Sequence, residues 1–248
     1  MPSAPSDIPL DQAAMLAALR ARVARLEGSI RDRHSHDAIP ICDGLPGDGL
    51  ARAAVHDVLA SSPGCGAALC ALLLARTGGT VLWITLEQDG LLAWPPGLAR
   101  FGLTPAKLVL ARTSRWSDAL WAMEEALRCP AVSGALLALP PGQTTGHHPL
   151  DLTVTRRLQL AAEAGGALGL LLRPDVGSVA PSATTTRWRI SAHPAEAEAT
   201  LNAECWQLEL LRTKVGRPDG PWAVTWNAAA GQLVLAATIA RRARQAAR

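Results

Sequence analysis

The sequence predicts an α/β fold, a mostly parallel sheet covered by helices on both faces with an antiparallel extension at its C-terminal end, and three observations carry this. Short apolar runs alternate with helical stretches from Leu45 to Arg173. Beyond Arg173 the helical stretches stop, and strands of alternating character separated by turn residues take over. A single amphipathic helix precedes both parts. Strands apolar at every position are those buried on both faces, which is the condition of parallel strands inside a doubly wound sheet.

The chain opens on a Pro/Ser-rich stretch, Met1 to Pro9, of the kind that lacks fixed structure. Leu10, Met15, Leu16, Leu19, Val23 and Leu26 then recur at three- and four-residue steps up to Gly28, which marks one helix with glycine as its terminator. This helix either lies on its own domain or is an arm that docks on another molecule, through Leu19, Val23 and Leu26.

From Leu45 the apolar runs are Val55 to Ala60, Thr80 to Leu86, Lys107 to Arg112, Gly134 to Leu139 and Ala167 to Leu172. Helical candidates between them are Gly66 to Arg76, Pro95 to Phe101, Ser117 to Arg128 and Leu152 to Ala164. Arg187 to Ala192, Cys205 to Arg212, Trp222 to Trp226 and Gln232 to Leu235 alternate apolar with polar residues, as antiparallel strands do. The expected organisation is an N-terminal arm over 1–38 with its helix at about 10–28, a domain over 39–235, and a basic helical tail over 236–248.

Composition excludes several classes. With 49% hydrophobic and 18% charged residues over 248 positions, the chain can bury a proper core as one domain and is unlike a disordered protein. Its longest apolar runs fall short of the roughly 20 residues that cross a bilayer, and a cytoplasmic location is expected, with no membrane partner. Five scattered cysteines without a CxxC pair read as free thiols. A net charge of +3 does not by itself imply nucleic-acid binding, but arginines gather near both ends, at Arg20 to Arg33 and at Arg241, Arg242, Arg244 and Arg248.

A buried strand, a Gly-containing turn and a helix is where an α/β protein holds phosphates, because the helix N-terminus offers free N–H groups. Here that place reads Ser61-Ser62-Pro63-Gly64-Cys65-Gly66-Ala67-Ala68. A working phosphate loop, G-x-x-x-x-G-K-[ST], needs a lysine for the β and γ phosphates and a hydroxyl for Mg²⁺. With Gly66 as the last glycine, those positions hold Ala67 and Ala68, and the first glycine is Ser61. The strand that should end in a magnesium-holding aspartate ends in Leu139. ATP turnover is therefore not expected, nor any cofactor or catalytic residue; the Gly64-to-Gly66 turn keeps open a loose contact with an anion.

In this order the elements resemble the RecA family over nearly the whole chain. Gly49 to Val58 is similar to that family's entry into the first strand, Phe101 to Leu110 to its approach to the third, and Thr80 to Glu87 to the second strand with its catalytic glutamate, whose counterpart would be the relic acid Glu87. Arg212-Thr213-Lys214 falls where the family has a basic K-x-K pair, and Arg173 or Pro174 where it has a nucleotide-sensing glutamine. The segments after the fourth and fifth strands, Pro141 to Leu150 and Pro174 to Arg187, correspond to the family's DNA-binding loops, and the second lacks the basic residues that neutralise phosphates.

Within that superfamily the chain most resembles the ImuA proteins, through Leu19 to Gly28 and through Gly49-Leu50 with His56-Asp57. The resemblance implies a non-catalytic adaptor in SOS-induced DNA damage tolerance, in a mutasome with ImuB, an inactive polymerase homologue, with RecA, and with an error-prone DNA polymerase. A cell-division inhibitor of the SulA type is the alternative, and a DNA-binding recombinase-like ATPase a second.

The remaining constellations are weaker. His34, His36, His147 and His148 lack acids or cysteines at ligand spacing, so no metal site is expected. His56, beside Asp57, reads as a hydrogen-bonded structural histidine, and the Glu87/Asp89 pair as a relic. Of eight tryptophans, Trp83 and Trp188 are expected in the core, and Trp94, Trp116, Trp121, Trp222 and Trp226 in turns, helices or edge strands. An exposed subset would mark an interface. The Trp222–Trp226 hairpin with the tail residues Arg241, Arg242 and Arg244 is the first candidate for contact with a protein partner or DNA phosphates.

Overall fold

The computed structural model describes residues 38–45, 49–87, 93–139, 150–177, 181–193 and 205–236. The amphipathic helix with Leu19, Val23 and Leu26, the tail with Arg241, Arg242 and Arg244, Asp89, and the His34/His36 and His147/His148 pairs lie outside them.

The sheet has a parallel core made by β2 (Ala54–Ala60), β3 (Thr80–Leu86), β4 (Leu108–Thr113), β5 (Val132–Ala138), β6 (Leu168–Pro174) and β7 (Thr186–Ala192). It continues antiparallel through β8 (Cys205–Thr213), β9 (Asp219–Asn227) and β10 (Gln232–Leu235), and β1 (Cys42–Asp43) pairs parallel with β10. The strand order is β1-β10-β9-β8-β7-β2-β6-β5-β3-β4.

The sequence reading placed β7 among the antiparallel strands. In the structure it pairs parallel with β2 on one side and antiparallel with β8 on the other. Its alternation has another cause: Trp188 and Ile190 enter the apolar core on one face, while Arg187 and Arg189 occupy the opposite face. Alternation reports the chemistry of two faces, not strand direction.

Helix α1 (Pro63–Ala75) covers one face of the sheet, and α3 (Trp116–Arg128) and α4 (Leu152–Gly165) cover the other; α2 (Pro95–Ala99) is a short turn of helix packed on α1. Helix α1 is apolar all round, which suits a helix enclosed over most of its length, from Cys65 to Leu74. Ile39, Ile41 and Leu50 join its apolar cluster, and Arg76 at its C-terminal end donates to the carbonyls of Pro40 and Ile41.

Helix α4 begins at an N-cap, Asp151, whose Oδ1 accepts from the Val154 amide at 2.8 Å, and stops at Gly166 with φ +83°. Helices α3 and α4 are tied by the buried carboxylate of Glu124, which takes Arg128 at 2.6 Å from its own helix and Arg157 from the next. No helix among the described residues is long and apolar enough to cross a membrane.

Candidate functional site

Ligands approach a parallel sheet at the C-terminal ends of its strands. That edge carries Ser61 after β2, Glu87 after β3, Leu139 after β5 and Asp175 after β6, so the chain brings the sequence-predicted loop, acid and strand end to one rim. Glu87 is exposed, and its amide donates to the carbonyl of Thr113 at 2.9 Å, which fixes the strand end. Leu139 is buried in the cluster beneath α3 and α4.

The turn itself differs from the expectation that helix begins at Gly66. Helix α1 starts at Pro63, so only Ser61 and Ser62 separate it from β2. Proline at the first helical position suits this early start, since it has no N–H to leave unpaired. Two backbone donors that an open loop would turn toward an anion are already used: the Ser61 amide gives to Ile190 O at 3.0 Å and the Gly66 amide to Ser62 O at 3.3 Å.

Gly66 is a packing residue. A β-carbon there would lie 2.6 Å from both Ala60 Cβ and Leu172 Cδ1, so the glycine lets α1 rest directly on β2 and β6. Cys65 points inward too, its thiol 3.2 Å from Ser62 O. Gly64 has open space around it. The two positions after Gly66, Ala67 and Ala68 in α1, carry neither the cation nor the hydroxyl that a working phosphate loop has there; the hydroxyls of the turn are those of Ser61 and Ser62, and Ser62 Oγ donates to Cys65 Sγ at 3.3 Å. Among the described residues there is no group of acids, histidines and cysteines arranged to hold a metal ion.

The basic residues that the sequence aligned with nucleotide contacts are engaged elsewhere, in a polar cluster inside the sheet. At its centre is Asp57, fully buried in the middle of β2. Arg187 on β7 gives Nε at 3.1 Å and Nη2 at 3.0 Å to Asp57 Oδ2, and Arg173 on β6 brings Nη2 to 2.8 Å from Oδ1. Ser182 Oγ and Thr184 Oγ1 donate to Oδ2 at 2.9 and 3.1 Å. Arg212 on β8 closes the group from outside, its Nη2 giving to the carbonyl and hydroxyl of Thr184.

Burial pulls the Arg173 guanidinium below the ordinary arginine range; Asp57 works against that shift and Arg187 adds to it. Arg212 moves the same way, first by burial and then by the nearby Arg187. Lys214 is also lowered, chiefly by burial, with Glu163 opposing and Arg156 and Arg212 adding.

The sequence does not disclose this cluster, because Asp57, beside His56, sits within a run that reads as a buried apolar strand. The signal was available: a carboxylate in a strand buried on both faces needs a cation beside it, and Arg173 and Arg187 stood in neighbouring strands.

On the other face of β2 the expected structural histidine is in place. His56 Nε2 lies 2.9 Å from Ala51 O and Nδ1 lies 2.7 Å from Thr186 Oγ1, which also accepts from Trp188 Nε1 at 3.0 Å. A carbonyl only accepts, so Nε2 carries the proton toward Ala51.

The tryptophans need one correction. Trp83 and Trp188 are core residues, as expected. Trp226, offered as part of a partner-binding hairpin, is 7% exposed and packs on Phe101, ring centroids 5.3 Å apart and planes tilted by 55°, while Trp222 is half-buried against Trp188 at 6.1 Å. The pattern of β9 turns its even positions Trp222, Val224 and Trp226 toward the core of the α1 face. The exposed tryptophans among the described residues are Trp94 at 69% and Trp121 at 66%.

Comparison with known proteins places these features in a wider setting. No family model matches the chain. It is 33% identical over 203 residues to the protein named ImuA in two strains of Caulobacter vibrioides, a match spanning 73% of this chain and 79% of that protein. A shorter stretch of 104 residues is 36% identical to the cell division inhibitor SulA of Edwardsiella piscicida, covering 41% of this chain and 54% of that one. Among solved structures, the RadB recombinase superposes with a TM-score of 0.55 over 75% of this chain and 92% of its own, at 11% identity, a likeness of fold alone.

Proposed function

Since this chain belongs to the ImuA family, we propose that it is a non-catalytic adaptor with a RecA-like fold, acting in damage-induced, error-prone DNA synthesis and binding an ImuB-like polymerase homologue, RecA, or both. The observation that carries the non-catalytic part is the start of α1 at Pro63. It supports a phosphate turn converted to packing, with Ala67 and Ala68 where a lysine and a hydroxyl would act and Leu139 where an aspartate would hold Mg²⁺.

The adaptor reading draws support from what the surface offers. Trp94 and Trp121 present large aromatic faces to solvent, the residue type that anchors protein interfaces. The terminal candidates Leu19, Val23 and Leu26, and Arg241, Arg242 and Arg244, belong to the same proposal. A second reading, a division inhibitor, rests on the 104-residue likeness to SulA.

Pull-down of the full chain from DNA-damaged cells separates the two. Recovery of an ImuB-like protein or RecA supports the adaptor; recovery of the tubulin-like division protein alone supports the second reading. Steady-state ATP hydrolysis, with and without single-stranded DNA, should stay at background. Turnover that disappears in Glu87→Gln would overturn the non-catalytic assignment.

A further inference from the structure

Strand β4 ends the sheet, and among the described residues no strand pairs with its outer side. Its register on β3 shows which backbone groups are left over. Thr113 stands opposite Leu86, and its carbonyl accepts from the Glu87 amide, so the backbone groups of Thr113 face β3. Alternate residues of a parallel strand bond to the same neighbour. Val109 and Ala111 therefore also face β3, and Leu108, Leu110 and Arg112 turn their N–H and C=O groups outward.

The side chains at this margin are apolar on both faces of the sheet. Val109 is 49% exposed and shares the face of Ala111, which packs beneath α3; Leu110 is 43% exposed and shares the face of Leu108, which packs on the α1 cluster. Edge strands that must stay unpaired are commonly interrupted by a proline or a bulge. Strand β4 has neither, and its six residues pair with β3 in unbroken register.

The charge around the strand has one sign. Lys107, Arg112 and Arg115 are exposed, and no acid occurs from Trp94 to Ser117. None of the ion pairs found among the described residues involves these three cations. A second copy of β4 fits this margin poorly: run antiparallel about a two-fold axis between Val109 and Leu110, it sets Lys107 opposite Arg112, like charge against like. A nucleic acid would meet the cations but leave the backbone row and the two apolar side chains uncovered. A polypeptide strand with acidic side chains meets all three features.

We propose that the outer edge of β4 receives an extended, acidic segment of a partner protein as an added strand. Main-chain hydrogen bonds to Leu108, Leu110 and Arg112 hold the segment, its alternate apolar side chains cover Val109 or Leu110, and its carboxylates pair with Lys107, Arg112 and Arg115. This deepens the adaptor reading, on which it rests for the existence of a protein partner.

The test uses the full chain as bait in the pull-down from DNA-damaged cells. Leu110→Pro removes one outward N–H and leaves the ladder to β3 intact, the position where an edge strand accepts proline. Arg112→Glu reverses an exposed charge and leaves the backbone alone, so it keeps the test valid if the proline variant melts early. Recovery of the protein partner should fall about tenfold in each folded variant. Benzoylphenylalanine introduced at Lys107 should crosslink to that partner, and mass spectrometry should locate the crosslink in a segment where apolar and acidic residues alternate. A partner recovered equally by the wild type and both variants overturns the edge site while the adaptor reading stands. If the wild type recovers no protein partner, both fail. Crosslinks that reach only a second copy of this chain, or only nucleic acid, also overturn the proposal.

Discussion

Asp57 and Arg187 stand opposite each other on the parallel strands β2 and β7, and a single carboxylate oxygen, Oδ2, accepts both Nε and Nη2 of the arginine at 3.1 and 3.0 Å. This leaves Oδ1 to face Arg173 on β6, so one side chain joins three adjacent strands. Removing one partner of a buried ion pair strands the others without compensation and costs about 3–5 kcal/mol. Asp57→Ala is expected to lose that much in urea denaturation, read from the transition midpoint at unchanged slope.

Gly66 and the start of α1 lead to a paired prediction. Gly66→Val forces new atoms against Ala60 and Leu172 and should cost about 1–3 kcal/mol of stability by overpacking. Restoring the motif chemistry with Ala67→Lys and Ala68→Thr should still give no ATP hydrolysis, since α1 begins at Pro63 and leaves no open loop. A phosphate-release assay on the folded double variant checks this.

The tryptophans divide by exposure. Truncating Trp226, packed on Phe101, should cost about 3–5 kcal/mol. Trp121→Ala should stay within about 0.5 kcal/mol of the wild type, while weakening capture of the protein partner. Chemical denaturation and pull-down, run side by side, measure the two effects.

Cysteine chemistry gives a pH-dependent test. Burial is the main cause that pushes the Cys70 thiol well above its ordinary range, with Cys65 adding to it. A raised pKa means less thiolate at any given pH, and the thiolate is the nucleophile. Native alkylation with iodoacetamide near pH 8 should modify the half-buried Cys129 and Cys205 before Cys70, and denaturant should abolish the difference. Peptide mapping by mass spectrometry reads the order.

The N-cap of α4 offers a local control. Asp151→Ala removes the acceptor for the Val154 amide and should cost about 1 kcal/mol. Asp151→Ser should recover most of it in thermal melts.

The parallel core was legible because strands enclosed on both faces must be apolar throughout. The expected runs at Val55 to Ala60 and Thr80 to Leu86 match β2 and β3 to within one residue. Three things were not legible, each for a physical reason. Strand β1 has only two residues and no periodicity to detect. The direction of β7 was obscured because its two faces differ chemically whichever way its neighbours run. Trp226 read as an edge residue because sequence does not disclose that Phe101, distant in the chain, lies across from it.

Of the site, the order of elements along the strand ends could be read, but not the early start of α1. Proline and glycine at Pro63 and Gly64 resemble a loop until the packing of Gly66 against Leu172 is seen.

Cys42 in β1 lies beside Leu233 in β10, so the first and last strands of the sheet meet. During synthesis the residues up to Ala192 can assemble their parallel strands as they leave the ribosome, but this far margin has no partner until Leu235 has emerged. Nascent chains stalled short of β10 should therefore leave the edge of β9 without its backbone partner, open to pairing with another strand.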